Sequence, residues 1–384
     1  MSKIGILAFW NKYGGGVYQY TQSIVDALKD DNTNSYVVFC FENDHRFDNY
    51  NIEIRHIKEF SNPGFKKVIR LFQFLFFIQR PWFLPKDDLK KFDDIDLILS
   101  PCVSEYPHFY LKKNFVFTLH DMQEKYYPDF FPRYIRFTRW LYNRTLIKSA
   151  KGIICESEFV KTDLLKFTAA DEANIFIIPS PPPEDFLRFA IKEDQFRIVK
   201  EKYQLPGRFV FYPAQCWEHK NHIRLVEAFK LVLAKHKDVH LILTGSQKDN
   251  YPSLMEKITQ LRLENRIKHL GYIDYDDFPY LYKLSQFLVM PTLFESLSIP
   301  IYEAFALNVA VCSSNVVALP HQVGDAGLIF DPLNVVEMSE KMMLLLEDDE
   351  LRKSLAKKGN KKVQNFNHEN YKNQLLVALS SPGI

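Results

Sequence analysis

The stretch from Pro291 to Cys312, PTLFESLSIPIYEAFALNVAVC, decides the fold and the site of this chain. It follows an apolar run, residues 287–290, whose length and composition predict a buried strand. Ser298 and Pro300 are typical of the N-cap and the first turn of a helix, so we expect a strand, a short loop and a helix. Open α/β sheets bind ligands where a loop and a helix N-terminus follow the carboxyl end of a strand.

Two glutamates in this stretch indicate the kind of ligand. Glu295 is expected in the loop, and Glu303, eight positions later, is expected in the first turns of the helix. Amides at a helix N-terminus favour a phosphate, whereas carboxylates repel one. The carboxylates are explained if they accept hydrogen bonds from hydroxyl groups of the same ligand. A sugar nucleotide supplies a diphosphate and hydroxyl groups, so the stretch predicts a sugar-nucleotide site.

The composition narrows the class of protein. The chain has 384 residues, 47% hydrophobic and 25% charged, which favours a globular protein of two domains. A net charge of +2 does not indicate a nucleic-acid partner. The beginning, MSKIGILAFW, predicts a strand and no signal peptide, and no apolar run reaches the ~20 residues of a membrane span, so we expect a cytoplasmic location. Five cysteines without paired spacing argue against a disulfide framework or a cysteine zinc site: Cys40, Cys102, Cys155, Cys216 and Cys312.

Short apolar segments alternate with helical patterns along the chain, which predicts parallel sheets covered by helices. The predicted strands are residues 4–9, 35–41, 52–57, 96–99, 115–119, 152–155 and 175–178 in the first half, and 209–212, 239–244, 267–270, 287–290, 309–312 and 324–332 in the second. Between the halves, Pro181, Pro182 and Pro183 predict a stiff, extended hinge. We therefore expect an α/β protein whose two Rossmann-like domains, 1–180 and 181–366, face each other across a cleft.

Two strand ends in the first half carry candidate ligand-binding residues. The glycines from Gly14 to Gly16 follow the first strand, but the spacing G-x-G-x-x-G is absent, which disfavours a nicotinamide cofactor. The alternatives are a ligand-binding loop and a plain tight turn. His120 follows the strand 115–119 and is expected to face the cleft, the alternative being a histidine that is hydrogen-bonded locally.

The stretch with which we began resembles the signature E-G-F-G-x-P-x-x-E-A of the family-4 retaining glycosyltransferases. The matching residues are Glu295, Pro300, Glu303 and Ala304. The chain departs from the signature by having Ser296 and Ser298 in place of glycines and Leu297 in place of phenylalanine. The resemblance implies the GT-B fold and transfer of a sugar with retention of configuration, without a metal ion or a cofactor. It also implies that a last helix, within residues 367–384, crosses back onto the first domain.

The resemblance further implies an acceptor-binding first domain, a donor-binding second domain and a role for each site residue. Lys220 would hold the donor diphosphate, Glu303 the ribose, and Glu295 with the amides of 296–299 the transferred sugar. Backbone near Tyr272 and Ile273 would contact the base, and His120 would orient the sugar and the acceptor. The implied catalytic residues are His120, Lys220 and Glu295, and the implied donor-binding residues are Gly15, Gly16, Gln215, Lys220, Tyr272, Glu295, Ser296, Leu297, Ser298, Ile299 and Glu303.

One position weakens the implied diphosphate site. Gln215 stands where the family has an arginine, five residues before Lys220. A departing nucleoside diphosphate develops negative charge, so a missing cation has to be compensated. Arg224 and His219 are the candidates for this compensation.

The expected partners are a GDP- or UDP-linked sugar donor and a glycan or lipid-linked acceptor of bacterial cell-surface polysaccharide synthesis, and mannose is one candidate for the transferred sugar. Two alternatives remain open. One is a non-catalytic relative that binds a sugar nucleotide, which Gln215 and the lost glycines favour. The other is a sugar phosphorylase or epimerase of similar two-domain shape.

Three segments raise questions of membrane or metal binding. The aromatic, basic segment 65–84 fits either a helix at the inner face of the plasma membrane or a helix buried on the sheet. The arginines and the lysine of segment 133–148 fit either an anionic head group or an ordinary solvated face. Asp94 and Asp96 match the D-x-D metal motif of other glycosyltransferases, but their position before a strand favours a solvated turn.

Overall fold

A computed structural model describes residues 1–9, 15–58, 72–73, 75–76, 78–79 and 84–380. The chain forms two compact units. Unit 1 comprises Met1–Ser180 together with Asn367–Ile384, and unit 2 comprises Pro181–Phe366. Most of the segment 65–84, for which a membrane contact was predicted, lies outside the described residues, as do residues 11–14 of the glycine loop.

Unit 1 is built on a sheet of seven strands in the order β3-β2-β1-β4-β5-β6-β7. All of its strand pairs are parallel. The strands are β1 (Lys3–Ala8), β2 (Ser35–Phe41), β3 (Glu53–Ile57), β4 (Leu97–Ser100), β5 (Asn114–Leu119), β6 (Gly152–Cys155) and β7 (Ile175–Ile177). The described α-helices of the unit are Gly16–Leu28, Lys86–Lys90, Arg133–Ser149, Glu158–Phe167 and His368–Ser380.

Unit 2 contains a second parallel sheet, of six strands in the order β10-β9-β8-β11-β12-β13. Its strands are β8 (Phe209–Pro213), β9 (His240–Thr244), β10 (Ile267–His269), β11 (Leu288–Met290), β12 (Val311–Ser314) and β13 (Gly327–Phe330). Its helices are Glu184–Leu187, Glu193–Lys202, His222–Lys235, Tyr251–Gln260, Phe278–Leu284, Ile299–Ala306, Leu319–Val323, Val335–Glu347 and Asp349–Gln364.

Both sheets are covered on their two faces, and this explains why their strands are apolar along most of their length rather than alternating. In β2, five consecutive residues from Tyr36 to Cys40 are buried, and in β11 all three residues are buried. The strand order reverses beside β1 in unit 1 and beside β8 in unit 2, and such switch points are where parallel sheets bind ligands. The predicted α/β architecture of two parallel-sheet domains is therefore confirmed.

The helices of unit 2 show features that the sequence did not predict. One helix begins at His222, directly after Asn221, which adopts a left-handed conformation with φ of 58° that ends a preceding 3-10 turn. The helices Val335–Glu347 and Asp349–Gln364 were not predicted. None of the helices in the described part of the chain combines the length and the apolar character needed to cross a bilayer.

Candidate functional site

The loop after β11 leads into the helix Ile299–Ala306, here called the site helix, as the sequence predicts. Ser298 occupies the N-cap position and Pro300 lies in the first turn. The hydroxyl of Ser298 does not cap the helix, however, and this buried oxygen has no hydrogen-bond partner among the described residues. The backbone N–H of Ser298 donates to Oε1 of Gln322 at 2.9 Å, and Nε2 of Gln322 donates to the Ser298 carbonyl at 2.7 Å. The Ser298 amide, which was expected to hold the donor sugar, is therefore already hydrogen-bonded to Gln322.

Lys220 and Glu295, the two residues expected at the diphosphate and the sugar, form an ion pair with each other. Each side chain is less than one-fifth exposed, at 17% for Lys220 and 18% for Glu295. Partial burial strengthens their attraction relative to a pair in water. The structure thus brings together the cation and the carboxylate that the sequence places 75 residues apart.

The Lys220 loop is joined to the Glu295 loop by several hydrogen bonds. Nδ2 of the buried Asn221 donates to the carbonyls of Pro291 and Pro332, each at 2.9 Å. The carbonyl of His219 accepts from the backbone N–H of Leu293 at 2.7 Å and from the hydroxyl of Thr292 at 3.1 Å. Because these bonds fix both loops, the Lys220–Glu295 pair does not depend on its own attraction for its position.

Glu303 lies on the buried side of the site helix and is only 4% exposed. Its Oε2 accepts a hydrogen bond from the hydroxyl of Tyr282 at 2.6 Å. Burial, reinforced by the negative charge of Glu303, raises the pKa of Tyr282 well above its usual value, so the phenol remains a donor. Tyr282 was not singled out in the sequence, because its contact with Glu303 depends on how the helix Phe278–Leu284 packs against the site helix.

Of the two residues expected to replace the positive charge missing at Gln215, the structure excludes His219 and leaves Arg224. Burial, together with the positive charge of Lys220, lowers the pKa of His219 to about 3, so this imidazole is neutral and does not supply a cation. Arg224 is half-buried and donates to Oδ1 of Asn221 at 3.2 Å, which places a permanent cation one helical turn from Lys220. The side-chain oxygen of Gln215 accepts from Nε1 of Trp217 at 3.0 Å.

Two glycines shape the neighbouring loops of unit 2. Gly245 has a φ of 119°, and a Cβ atom there would lie 2.7 Å from the backbone carbon and oxygen of Ala214, so only glycine allows the loops after β8 and β9 to approach each other. Gly271, with φ of 74°, precedes Tyr272, which is 48% exposed, whereas the side chain of Ile273 is buried in the core. Only the first of the two residues expected near the base therefore presents its side chain to solvent.

In unit 1, His120 lies at the carboxyl end of β5 with both ring nitrogens bound to acceptors. Nδ1 lies 2.5 Å from Oε2 of Glu156, and Nε2 lies 2.9 Å from the carbonyl oxygen of Pro101. Burial alone would lower the pKa of His120, but the Glu156 carboxylate outweighs it and the pKa is raised. Only the imidazolium form donates from both nitrogens, so the geometry and the pKa agree. A ligand that contacts Nε2 has to displace the Pro101 carbonyl.

Glu156 was missed by the sequence reasoning, although a signal was present. It follows β6 directly, as His120 follows β5, and the two strands pair in parallel with Leu119 opposite Cys155. The next residues of both strands are therefore neighbours at the same edge of the sheet. Glu156 is 6% exposed, and its second oxygen accepts from the hydroxyl of Ser180.

The glycine loop is described only from Gly15 onward. Gly15 has φ of 64° and ψ of −134°, a conformation open to glycine, and its carbonyl accepts from the N–H of Tyr18 at 3.0 Å. Gly16 begins the helix Gly16–Leu28, and a Cβ atom there would meet no described atom within 4 Å. The described residues therefore leave space beside the Gly16 backbone.

Both aspartates of the D-x-D sequence, Asp94 and Asp96, accept hydrogen bonds from other residues of unit 1. Asp94 accepts from Nη1 and Nη2 of Arg55 at 2.6 and 2.8 Å and from Nζ of Lys3 at 2.7 Å. These hydrogen bonds, from Arg55 first, hold the pKa of Asp94 far below its usual value. Asp96 accepts from the backbone N–H of Lys3 at 2.8 Å. The two carboxylates bind Lys3 of β1, and Asp94 also binds Arg55 of β3, so these contacts hold the turn before β4 against the sheet.

Two protein-family models match the chain, one in each half. The model "Glycosyltransferase Family 4" matches residues 14–183, and the model "Glycosyl transferases group 1" matches residues 194–362. Together they span most of the chain.

The relatives found by sequence include mannosyltransferases. The chain is 29% identical over 278 residues to the O-antigen chain mannosyltransferase B of Escherichia coli, covering 71% of this chain and 72% of the relative. It is 26% identical over 223 residues to the O-antigen chain mannosyltransferase RfbU of Salmonella typhimurium, covering 58% of each. A match at 24% identity to the serotype-specific mannosyltransferase WbdA of Escherichia coli spans only 26% of that longer protein.

Solved structures share the fold along the whole chain. The complex of Anabaena HepE with UDP and glucose superposes with a TM-score of 0.78 at 18% identity and covers 100% of both chains. WaaG, a glycosyltransferase involved in lipopolysaccharide biosynthesis, superposes with a TM-score of 0.75 at 14% identity and covers 99% of this chain and 100% of its own. The chain therefore belongs to the family-4 glycosyltransferases of GT-B fold, which confirms the resemblance first noted around Glu295 and Glu303.

Proposed function

We propose that this protein transfers a hexose, with mannose favoured, from a GDP- or UDP-linked donor to a glycan or lipid-linked acceptor, with retention of configuration and without a metal ion in the reaction. The observation that carries the proposal is the Lys220–Glu295 pair, held by the interlocked loops at the N-terminus of the site helix. The names of the mannosyltransferase relatives support mannose and a role in cell-surface polysaccharide synthesis.

In the proposed reaction, the acceptor hydroxyl attacks the sugar on the face from which the diphosphate leaves. The acceptor proton passes to an oxygen of the departing diphosphate. Because the acceptor attacks the sugar directly, no covalent sugar–protein bond forms. Lys220 and the amides at the start of the site helix stabilise the charge that develops on the diphosphate. When the donor binds, Lys220 exchanges Glu295 for phosphate, and Glu295 becomes free to accept hydrogen bonds from hydroxyl groups of the sugar.

The remaining donor contacts follow from the same placement. We assign Glu303 to the ribose hydroxyls, with Tyr282 fixing its carboxylate from below. The backbone at Tyr272 is assigned to the base, and Ser296 and Leu297 to the sugar. Arg224 is assigned to the charge that Gln215 does not provide. Unit 2 is thus assigned to donor binding and unit 1 to acceptor binding, with Gly15 and Gly16 assigned to the donor phosphates and His120 to the transferred sugar and the acceptor.

A non-catalytic relative that binds a sugar nucleotide is the second candidate. Gln215 and the neutral His219 favour it, because together they leave the diphosphate with fewer cations than the family signature provides. The two candidates differ in turnover: the transferase slowly hydrolyses the sugar nucleotide or transfers its sugar to a simple acceptor, whereas the binding protein does neither.

The deciding experiment measures thermal stabilisation by GDP, UDP, dTDP and ADP in the presence of EDTA, followed by turnover of the matching sugar nucleotide. A ligand that binds only the folded state raises the melting temperature. We expect one nucleotide to stabilise the protein, and Lys220→Ala and Glu303→Gln each to remove most of the shift. Lys230→Ala, an exposed lysine of the helix His222–Lys235, is the control and should behave as wild type. Absence of any shift, with or without Mg²⁺, would contradict the donor site; a shift without turnover would favour the binding protein.

We also propose that the helix Arg133–Ser149 contacts an anionic membrane or a lipid-linked acceptor. Its exposed face carries Tyr134, Phe137 and Trp140, at 68%, 42% and 43% exposure. Not every cation predicted for this face is available, because Arg139 pairs with Asp121 at 2.8 Å and with Glu124 at 2.9 Å.

A cavity of about 320 Å³ lies beside the same helix, and three cations are among its lining residues: Lys125, Arg144 and Lys148. Aromatic rings next to lysine and arginine suit the interface of an anionic membrane. The test is co-sedimentation with vesicles of phosphatidylglycerol against vesicles of phosphatidylcholine. Phe137→Ser with Arg144→Glu should reduce binding to the anionic vesicles, whereas Val336→Ser, an exposed apolar residue of unit 2, should not. Equal binding by all three proteins would contradict the assignment.

A further inference from the structure

A cluster of two histidines and an aspartate lies on unit 1, among residues for which the proposed reaction has no use. One ring nitrogen of His45, one ring nitrogen of His56 and one carboxylate oxygen of Asp48 all lie within 4.8 Å of one another. Nδ1 of His45 is 2.8 Å from Oδ2 of Asp48, and Nε2 of His56 is 3.7 Å from Oδ1 of the same carboxylate. His45 and Asp48 are exposed and His56 is half-buried, so solvent reaches the cluster.

The second nitrogen of His56 is fixed by the backbone. Nδ1 of His56 lies 3.2 Å from the carbonyl oxygen of Phe41, and since a carbonyl only accepts, Nδ1 carries the proton. In the neutral ring, Nε2 then presents a lone pair to the carboxylate of Asp48, an arrangement that repels unless a proton or a metal ion lies between them. A histidine that donates one N–H to a backbone carbonyl and directs the other nitrogen at a shared centre is the usual arrangement of a metal ligand.

The segment that carries His45 and Asp48 is held in place from beneath. Phe47 is fully buried. Arg46, like Phe47, lies between His45 and Asp48 in the sequence. Its guanidinium stacks over the ring of Tyr18, 3.9 Å from the ring centroid, and donates to Asp44 at 2.9 Å. Asp44 balances the charge of Arg46, so that the guanidinium does not oppose a bound cation. The two intervening side chains thus fix the loop, and the two ligand side chains point outward.

We propose that His45, Asp48 and His56 bind one divalent transition-metal ion, with Zn²⁺ as the ion that best fits two imidazoles and one carboxylate. Around a tetrahedral ion with ligand bonds of about 2.1 Å, the ligand atoms are about 3.4 Å apart, and the separations in the structure lie on both sides of that value. The ion replaces the proton shared by His45 and Asp48 and removes the repulsion at His56 Nε2. Water fills the fourth position, because the cluster faces solvent.

The bound ion has a structural role in this proposal. His56 lies in β3, the edge strand of the sheet in unit 1, whereas His45 and Asp48 lie in the loop that precedes it. One ion therefore joins the loop to the sheet edge at three points, and it takes no part in sugar transfer. The site is independent of the donor site, whose proposed residues all belong to unit 2 or to other loops of unit 1.

The test measures binding of Zn²⁺ and Co²⁺ to the metal-free full-length protein by calorimetry and absorption spectroscopy. We expect one ion per chain, a higher melting temperature with Zn²⁺, and a Co²⁺ spectrum without a thiolate charge-transfer band, because no cysteine belongs to the cluster. Removing a residue that only hydrogen-bonds to a metal ligand typically lowers metal affinity about 10- to 100-fold. His56→Ala and Asp48→Asn remove the ligands themselves, so we expect a larger loss of affinity in both variants.

His236→Ala is the matched control. His236 is also paired with a carboxylate, that of Glu347 at 3.0 Å, but the described residues place no second histidine beside it. This variant should bind Zn²⁺ as the wild type does. Sugar-nucleotide turnover in EDTA should be unchanged in His56→Ala, which separates this proposal from the proposed function. The metal site is wrong if the wild type binds no stoichiometric ion, or if the folded His56→Ala and Asp48→Asn variants bind it with unchanged affinity.

Discussion

Lys220 and Glu295 neutralise each other before any ligand is present. The pair is less than one-fifth exposed, and its two loops are fixed by Asn221 and by the His219 carbonyl. A site prepared in this way loses little conformational freedom when a diphosphate replaces Glu295 as the partner of Lys220. The hydrogen bonds of Asn221 and of the His219 carbonyl do not involve the Lys220 side chain. They should therefore keep both loops in place in Lys220→Ala.

Lys220→Ala is expected to lower kcat by about 10²–10³, the usual cost of removing one group that stabilises developing negative charge. KM should rise as well, because Lys220 also holds the diphosphate of the bound donor, and kcat falls because the charge on the diphosphate is greatest in the transition state. Steady-state kinetics with the stabilising sugar nucleotide measures both parameters. Lys230→Ala should retain wild-type values, and a Lys220→Ala variant with wild-type kcat would remove Lys220 from the reaction.

His120 and Glu156 predict a pH dependence of stability for unit 1. The pKa of His120 in the folded protein is raised above its unfolded value, which is about 6.5. The stabilisation by this pair is therefore complete below about pH 6.5 and is lost as the pH rises through the folded pKa. Glu156→Gln should lower the His120 pKa, measured by NMR, and flatten this part of the pH profile. Glu158→Gln, an exposed neighbour, should change neither quantity, and an unaltered His120 pKa in Glu156→Gln would contradict the pairing.

The site residues differ in how far the sequence could predict them. Glu295, Pro300 and Glu303 were predicted from the strand, loop and helix order, because backbone chemistry sets that order locally. The Lys220–Glu295 ion pair and the Tyr282–Glu303 hydrogen bond could not be predicted, since both depend on which loops the folded sheet brings together. Engagement of the Ser298 amide by Gln322 likewise joins residues 24 positions apart.

At the scale of elements, Gly359 sets the distance between two helices of unit 2. It lies in the helix Asp349–Gln364, and a Cβ atom there would be 2.2, 2.6 and 2.7 Å from three ring atoms of Phe305. Phe305 is fully buried in the site helix, two residues after Glu303. The glycine thus allows a neighbouring helix to press the site helix into place.

Gly359→Ala is expected to destabilise unit 2 despite the better helix propensity of alanine. The propensity gain is about 1 kcal/mol, and overpacking a core costs about 1–3 kcal/mol. At separations this short the upper part of that range applies, so the free energy of unfolding should fall and nucleotide affinity should weaken. Chemical denaturation and nucleotide titration measure the two effects.

The control for this prediction exploits the same contact. Phe305→Leu provides space, so Gly359→Ala should cost less in that background, and the double-mutant cycle should show the coupling. Gly207→Ala, where no described atom lies within 4 Å of the added carbon, should be tolerated. Equal costs for Gly359→Ala in both backgrounds would mean that Phe305 is not the neighbour that matters.

The sequence patterns predicted the buried strands but not all of the helices. Parallel strands buried on both faces are apolar runs, so β2 and β11 were predictable from composition alone. The helices Val335–Glu347 and Asp349–Gln364 were missed although each has a start signal. Asn334 accepts from the N–H of Glu337 at 3.1 Å, and Asp348 accepts from the N–H of Leu351 at 2.8 Å. The left-handed Asn221, by contrast, had only the general preference of asparagine for that conformation as a local signal, and its two carbonyl partners are long-range.

At the scale of the whole molecule, the chain enters unit 1 twice. The helix His368–Ser380 packs on the helix Gly16–Leu28 and on β6, although unit 2 lies between them in sequence. Tyr371 is 1% exposed on this last helix, and Leu375 and Ala378 are buried beside it. Unit 1 is therefore completed only when the end of the chain has been added to it, whereas unit 2 is continuous.

Tyr371→Ala should destabilise unit 1 and leave the nucleotide response of unit 2 intact. Truncating a buried aromatic side chain to alanine costs about 3–5 kcal/mol, and separate domains need not unfold in one transition. Scanning calorimetry should show the transition of unit 1 at a lower temperature, while the transition that GDP or UDP raises stays where it is. Val377→Ala, at a position 57% exposed on the same helix, should move neither transition. If Tyr371→Ala lowered both transitions equally, the two units would unfold as one, and the nucleotide response could not be assigned to unit 2 alone.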